Sequence, residues 1–217
     1  MEDVTLHWCL KRKKMKYKIT SFVHIRNQGI LLEGREIFSF SKSSDAGDFL
    51  KKAYTALNIS YPKFHKMDVL CKLGILASEV LFRNHEISPD TALVFSIASS
   101  CLETDKDHRE EMNGIVSPAI FVYTLPNIVL GEISIKHKLQ SENVFFVSEK
   151  FNAPLIKDYT TVLLENSKVP AVVCGWIEWK NAEYDVFLCL VSPEGKINFN
   201  RENLEELYYF ENERSAN

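Results

Sequence analysis

Residues Tyr17 to Ile25 alternate apolar and polar side chains, the period of a strand with one buried face. After Asn27-Gln28-Gly29 a second extended run is predicted over Gly29 to Phe40. Asp45 or Ser44 is placed to cap a helix that runs to about Leu57. From Met67 to Phe82 the apolar groups Met67, Leu70, Leu73, Ala77, Val80 and Leu81 recur at helical spacing, with Asp68 in the first turn. Pro89-Asp90 breaks that pattern, and Thr91 to Ile97 (TALVFSI) is an apolar run of strand length.

The polar segment Ser99 to Asn113 follows, and its run Glu103 to Glu111 gathers carboxylates and a histidine that could serve acid–base work or a cation, against the simpler reading of a solvated loop flowing into a helix. A helix is predicted over Asn127 to Leu139, with Pro126 just ahead of it, and a short strand over Val144 to Val147. Asn152 to Ser167 reads as a helix whose apolar face is Leu155, Ile156, Tyr159, Val162 and Leu163, capped by Asn152 and ended before Pro170. Ala171 to Lys180 and Tyr184 to Ser192 are β-rich runs separated by Asn181, Ala182 and Glu183, a hairpin with a short loop. The tail from Asn200 to Glu213 is acidic and amphipathic and is predicted to close the chain with a helix.

Strands alternating with helices imply a mainly parallel α/β sheet covered on both faces, with the antiparallel hairpin at one edge. No repeat, low-complexity segment or linker divides the chain, so one domain is expected over residues 1–217.

Composition narrows the function classes without naming one. With 46% hydrophobic and 12% aromatic residues the chain can bury an ordinary core. Its 26 basic and 29 acidic residues give a net charge of −3, so no global field points to nucleic acid or a membrane surface. Six of the eight residues from Lys11 to Lys18 are basic, a weak hint of a phosphate or an acidic carrier protein against the simpler reading of a solvated lead-in. Cys9, Cys71, Cys101, Cys174 and Cys189 show no paired spacing, as in reduced cytosolic chains. There is no run of about 18 apolar residues, so no membrane span and a cytoplasmic location are expected. The histidines His7, His24, His65, His85, His108 and His137 stand singly, so no metal site is expected, and no phosphate-binding glycine loop or serine elbow appears.

Three stretches carry a resemblance. Tyr61-Pro62-Lys63-Phe64-His65-Lys66-Met67-Asp68, then SPAIFVYTLPNIVLGEISI, then Ser141-Glu142-Asn143 ahead of VFFVS resemble, in order and spacing, the N-terminal half of β-ketoacyl-acyl carrier protein synthases. The chain is most similar to short ketoacyl-synthase-like N-terminal domain proteins. The match runs from about residue 17 to 192, with 193–217 as a helical extension. Its motif residues are Met67, Asp68, Thr124, Leu125, Pro126, Asn127, Gly131 and Asn143. The resemblance implies a thiolase-like half, βαβαβαββ, with a mixed, mainly parallel five-stranded sheet flanked by helices and no cofactor. It also implies dimers that pair the strand Val144, Phe145, Phe146 and Val147 across a two-fold axis. In a full sandwich the helix Asn152 to Ser167 is central, so here it is expected to show an apolar stripe.

The departures bear on chemistry. The family's nucleophile lies in a Ser/Thr-Ala-Cys-Ser/Ala-Ser turn after the strand; this chain reads Ser148-Glu149-Lys150-Phe151-Asn152. Lys150 therefore occupies the nucleophile position, where it attacks a thioester only if burial removes its charge. The His-Gly-Thr and Asn-x-Gly-His motifs that stabilise the family's enolate and oxyanion are not in this sequence. Cys101, in the polar stretch after a strand, is the thiol best placed to react, whereas Cys174 and Cys189 read as packed core thiols. Phe121, Tyr123 and Phe145 are either core or the lining of an acyl channel.

The expected function is a non-catalytic, ketosynthase-like component of a fatty-acid or polyketide-type pathway. It would act as a homodimer, or as a heterodimer with a full-length ketosynthase in the manner of chain-length factors, with acyl carrier protein as a possible partner. The alternatives are an acyltransferase or thioester-processing enzyme with a non-standard nucleophile, and an acyl or acyl-carrier-protein binding module.

Overall fold

A computed structural model describes residues 17–40, 45–114, 117–166 and 169–210. His7, Cys9, most of the basic run from Lys11, the cap candidate Ser44, Ser167 and the tail beyond Phe210 lie outside them. The alternation of the first strand is realised in β1 (Lys18–Arg26), where Ile19 and Phe22 face one side of the sheet and Val23 and Ile25 sit against the other core. The run expected as a single extended segment is two strands, β2 (Gly29–Leu32) and β3 (Arg35–Ser39). It breaks at Glu33-Gly34, both at positive φ (50° and 75°), the geometry of a two-residue hairpin turn.

Helix α1 (Ala46–Ala56) starts at Asp45, whose side chain accepts from the Asp48 N–H at 2.8 Å. A 3-10 turn at Pro62–Lys66 leads to α2 (Val69–Phe82), where Asp68 is the cap itself, accepting from the Cys71 N–H. Strand β4 (Ala92–Ile97) is buried at every position, and the polar segment after it is helical, α3 (Leu102–Glu111). A short helix the pattern did not announce, α4 (Pro118–Val122), precedes α5 (Ile128–His137), β5 (Asn143–Val147) and α6 (Ala153–Asn166). Then come β6 (Val172–Lys180), β7 (Glu183–Ser192), the two-residue β8 (Ile197–Asn198) and α7 (Arg201–Tyr209), capped by Asn200.

The sheet runs β3-β2-β1-β7-β6-β4-β5, with β8 pairing the start of β1. Among the described residues the sheet has eight strands rather than the five expected: β2, β3 and β8 add to β1-β7-β6-β4-β5. Because β7 is antiparallel to both β1 and β6, the other four of these last five share one direction, a mixed and mainly parallel sheet. The β6–β7 hairpin expected at one edge is central instead. The reason is that β7 is apolar on both faces, with Val186 to Val191 all buried, so it needs a partner on each edge and cover on each side. The two strands close tightly at Gly175, where a Cβ would stand 2.0 Å from the Phe187 carbonyl oxygen.

Two cores lie on opposite faces. Leu93, Phe95, Val173, Ile177, Val186 and Leu188 meet helices α1, α2 and α5, while Val94, Cys174, Trp176, Phe187 and Cys189 meet α6 and α7. Strand alternation supplies both sets from the same segments. Gly74 sets the approach of α2 to α5, since a Cβ there would fall 2.2 Å from Val129 Cγ2.

The stripe expected on α6 is largely occupied. Ile156, Leu163 and Leu164 are buried, Tyr159 packs edge-on to Phe146 with ring centroids 5.2 Å apart, and Val162 stays exposed. Helix α7 lies beside α6 on this face and inserts Leu204 into the core.

Candidate functional site

The β5-to-α6 corner is built by backbone pairing and a cap. Ser148 extends the ladder by donating its N–H to the Ile97 carbonyl at 2.9 Å, and its hydroxyl donates to the Lys150 carbonyl at 2.9 Å. Asn152 Oδ1 accepts from the Leu155 N–H at 3.0 Å and starts α6. Lys150 and Glu149 are exposed between these fixed points. The burial that would convert a lysine ammonium into a nucleophilic amine is absent at this position.

Phe151, the next residue, turns inward. It stacks on Tyr208 with ring centroids 4.3 Å apart and meets Phe187 and Trp176 edge-on. The space beneath the helix start is filled by rings rather than by a cleft holding the Lys150 amine.

The thiols do not offer a substitute. Cys101, expected in a polar loop, sits buried at the N-cap position of α3. Burial, with Asp68 and Asp105 nearby, pushes its thiol up to about 12, away from the thiolate a nucleophile needs. Cys71 is raised well above its usual range, mainly by burial. Cys174 and Cys189 face each other across β6 and β7, buried, with sulfurs 3.5 Å apart, and all four described cysteines are free. Among the described residues no cluster of histidine, cysteine and carboxylate side chains is set to hold a metal.

The motif residues are dispersed over one side of the molecule. Met67 is buried, and Asp68 holds the Cys71 N–H and the Thr104 hydroxyl, the latter at 3.1 Å. Thr124 donates to the Phe121 carbonyl at 2.8 Å, Leu125 and Asn127 are exposed, and Asn127 starts α5 without a side-chain cap. Gly131 is on the surface-facing side of α5, with open space where a Cβ would be. Asn143 opens β5.

Strand β5 is the sheet's outer edge and, among the described residues, pairs with β4 alone. Phe145 leans on Phe95 on one face and Phe146 on Tyr159 on the other, while Val147 is 63% exposed. Its register with β4 is unbroken, and no proline, bulge or charged side chain blunts the edge. Helix α5 packs beside β5 and leaves Ile135 exposed, and Phe121, Val122 and Leu125 are exposed on the segment that leads into α5.

Two carboxylates organise the interior, and sequence reasoning passed over both. Glu178 at the end of β6 accepts from the Ala98 N–H at 2.7 Å and pairs with the Ser99 hydroxyl, fixing the turn after β4. Glu132, 3% exposed, pairs with Lys63 Nζ at 2.6 Å and takes the Tyr61 hydroxyl at 3.3 Å. The available signal was a charged residue between Val129 and Ile133 on the buried face of an apolar helix.

No protein-family model matches the chain, and no curated protein does. Solved structures do match. The ishigamide ketosynthase/chain length factor superposes with a TM-score of 0.57 at 16% identity, over 82% of this chain and 62% of that one. This is a ketosynthase-type, thiolase-like fold. A second ketosynthase-type structure, the ketosynthase ApeO in complex with its chain length factor ApeC from Xenorhabdus doucetiae, matches with TM-score 0.54 and 14% identity over 90% of this chain and 91% of that one. The AntDE:AntF complex, a type II PKS acyl-carrier protein with its ketosynthase bound to the hexaketide, gives 0.56 and 12% over 89% and 65%. The chain thus spans less than two thirds of two of these ketosynthase-type chains and nearly all of the third. Among the described residues no helix is long and apolar enough to cross a membrane.

Proposed function

We propose that this chain is a non-catalytic, chain-length-factor-like subunit that pairs with a complete ketosynthase in a fatty-acid or polyketide-type pathway, through the outer edge of β5. The observation that carries this reading is that edge: five residues in regular register, four of them apolar and none charged, beside α5 with its exposed Ile135. Such an edge is a template for another strand, and the exposed Val147 and Ile135 favour a partner that covers them. The corner supports the non-catalytic half of the reading, because exposed Lys150 stands where the resemblance places a cysteine and Phe151 closes the space behind it.

The similar structures support the partner, since two of them are described by a ketosynthase together with its chain length factor. The carrier-protein complex of the third supports an acyl carrier protein as a visitor to the assembled pair. We read residues 1–217 as one ketosynthase-like N-terminal domain, with α7 as the helical part of its extension, acting in the cytoplasm.

Sedimentation velocity of the full chain, alone and mixed with the ketosynthases encoded beside it, tests this. A one-to-one complex is expected, weakened at least about tenfold by Val147→Lys, which is solvated in the free chain but buries a charge at the paired edge. A homodimer dispersed by the same substitution would keep the surface and make the partner a second copy. A monomer that ignores every such synthase, or a complex indifferent to Val147→Lys, would overturn the proposal.

A further inference from the structure

Beside α2, away from β5, a cleft of about 260 Å³ opens between the first turn of α2, α3, α4 and the end of β6. Lys66, Asp68, Lys72, Asp107, Ile120 and Trp179 are among its walls, and none of its residues belongs to β5. This volume falls below the roughly 300–1,000 Å³ of pockets for drug-sized molecules, so it suits a small ligand.

Lys72 is the unusual wall residue. It is half-buried, and among the described residues its ammonium makes no hydrogen bond or ion pair. The carboxylate nearest in effect, Asp68, already holds the Cys71 N–H through one oxygen and the Thr104 hydroxyl through the other. Burial lowers the Lys72 pKa more than the field of Asp68 raises it, and Lys51 lowers it further. A half-buried cation left short of compensation in a cleft is where an incoming anion gains most.

The rest of the wall fixes the kind of anion. Lys66 adds a second positive charge, while the N-terminal end of α2 is already met by the Asp68 carboxylate that caps it. Asp107 on α3 disfavours an anionic group on its side and Asp68, also a wall residue, disfavours one at the cap itself, so the charged end of a ligand is placed at the two lysine ammonium groups. Trp179 and Ile120 offer an apolar surface for the remainder.

We propose that this cleft binds a small organic carboxylate, its charged end held by Lys72 and Lys66 and its apolar body laid on Trp179 and Ile120. The site is independent of the pairing surface and goes beyond the subunit reading, because occupancy needs neither β5 nor a partner.

Calorimetric titration of the full chain with 3-phenylpropionate, hexanoate and the neutral amide 3-phenylpropanamide tests it. Saturable binding of at least one carboxylate, with Kd of about 1 mM or tighter, is expected, the amide binding at least about tenfold more weakly. Lys72→Met should weaken the carboxylate at least about tenfold. In the unaltered chain the bound carboxylate should slow acetylation of Lys72 by acetic anhydride, read by peptide mass spectrometry, while exposed Lys150 reacts as before. Equal affinity for amide and carboxylate, no saturable binding, or acetylation of Lys72 unaffected by ligand would overturn the proposal. Failure here leaves the synthase-pairing result untouched, and the reverse also holds.

Discussion

The Phe151 ring lies on the Tyr208 ring, centroids 4.3 Å apart and 28° from parallel, so the residue leading into α6 is tied to the last turn of α7. Tyr208 is held in turn by its hydroxyl, which donates to Asp185 Oδ2 at 2.6 Å, and by Arg26, 4.7 Å above its ring. Arg26 also pairs with Asp185 and donates to the Tyr208 carbonyl, so β1, β7, α6 and α7 meet in one polar-aromatic cluster.

Tyr208→Ala removes the stack, the cation–π contact and the hydroxyl together, and is expected to cost about 2–4 kcal/mol. Tyr208→Phe keeps the ring and should cost about 1 kcal/mol. Urea unfolding midpoints of the two variants separate packing from hydrogen bonding; equal losses would mean that the stack contributes nothing.

Glu132 presents a different balance, because its carboxylate is 4% exposed while Lys63 is 46% exposed. Lys63→Met strands a buried charge, and with solvent screening at the lysine a loss of about 1–2 kcal/mol is expected. Adding Glu132→Gln should recover most of that loss by removing the charge while an amide remains for Tyr61. A denaturation double-mutant cycle checks it, and strictly additive effects would contradict the pairing.

His24 gives the fold a pH dependence. The carbonyl of Leu207, 2.9 Å from Nε2, can only accept, so Nε2 carries the proton and Nδ1 lies buried without a partner. Burial first, then Arg26, lowers its pKa to about 4 from an ordinary 6.5. The unfolded chain therefore binds the proton more readily, and this contribution is complete above about pH 6.5 and lost as pH falls toward 4. His24→Phe, which keeps a ring against Phe187, should make stability fall less steeply across that window, the remaining slope coming from His137, which burial and then Lys136 also lower to about 4. An unchanged slope would exclude His24 as its source.

Gly74→Ala would ordinarily strengthen a helix by about 1 kcal/mol. Here the added Cβ meets Val129 Cγ2 at 2.2 Å, and overpacking at the α2–α5 contact is expected to cost a net 1–3 kcal/mol, by the usual magnitude of about that size. Val129→Ala in the same chain should relieve part of the loss in a thermal melt; relief absent from the double variant would place the strain elsewhere.

Local signals in the sequence located most elements because each acts within a few residues. Asp45, Asp68, Asn152 and Asn200 accept from N–H groups three positions on, and the apolar runs at Thr91 to Ile97 and Val144 to Val147 are strands close to their predicted limits. The resemblance carried by Thr124 to Asn127 and its flanks led to the ketosynthase-type fold that solved structures share. It also identified Lys150 as the residue at the corner, which a one-dimensional reading can do.

Other features had no local cause. The split between β2 and β3 rests on two positive-φ residues, one of them Glu33, whose side chain gives no turn signal. Cys101 follows the turn after a strand, yet it is buried because α3 folds back so that its Thr104 hydroxyl donates to Asp68 at the start of α2. Lys72 reads as one more surface lysine until α3 and β6 wall its cleft.

By itself the sequence determined most of the strands and helices and which residue types stand at the corner, since caps and periodicities are satisfied by near neighbours. Only the tertiary structure decided that β7 enters between β1 and β6, that Phe151 rather than Lys150 turns inward, and that β5 is left as an open edge. Each of those outcomes depends on burial and pairing between segments far apart in the chain, where the free energy of packing belongs to the assembled sheet and its two helical faces rather than to any one stretch.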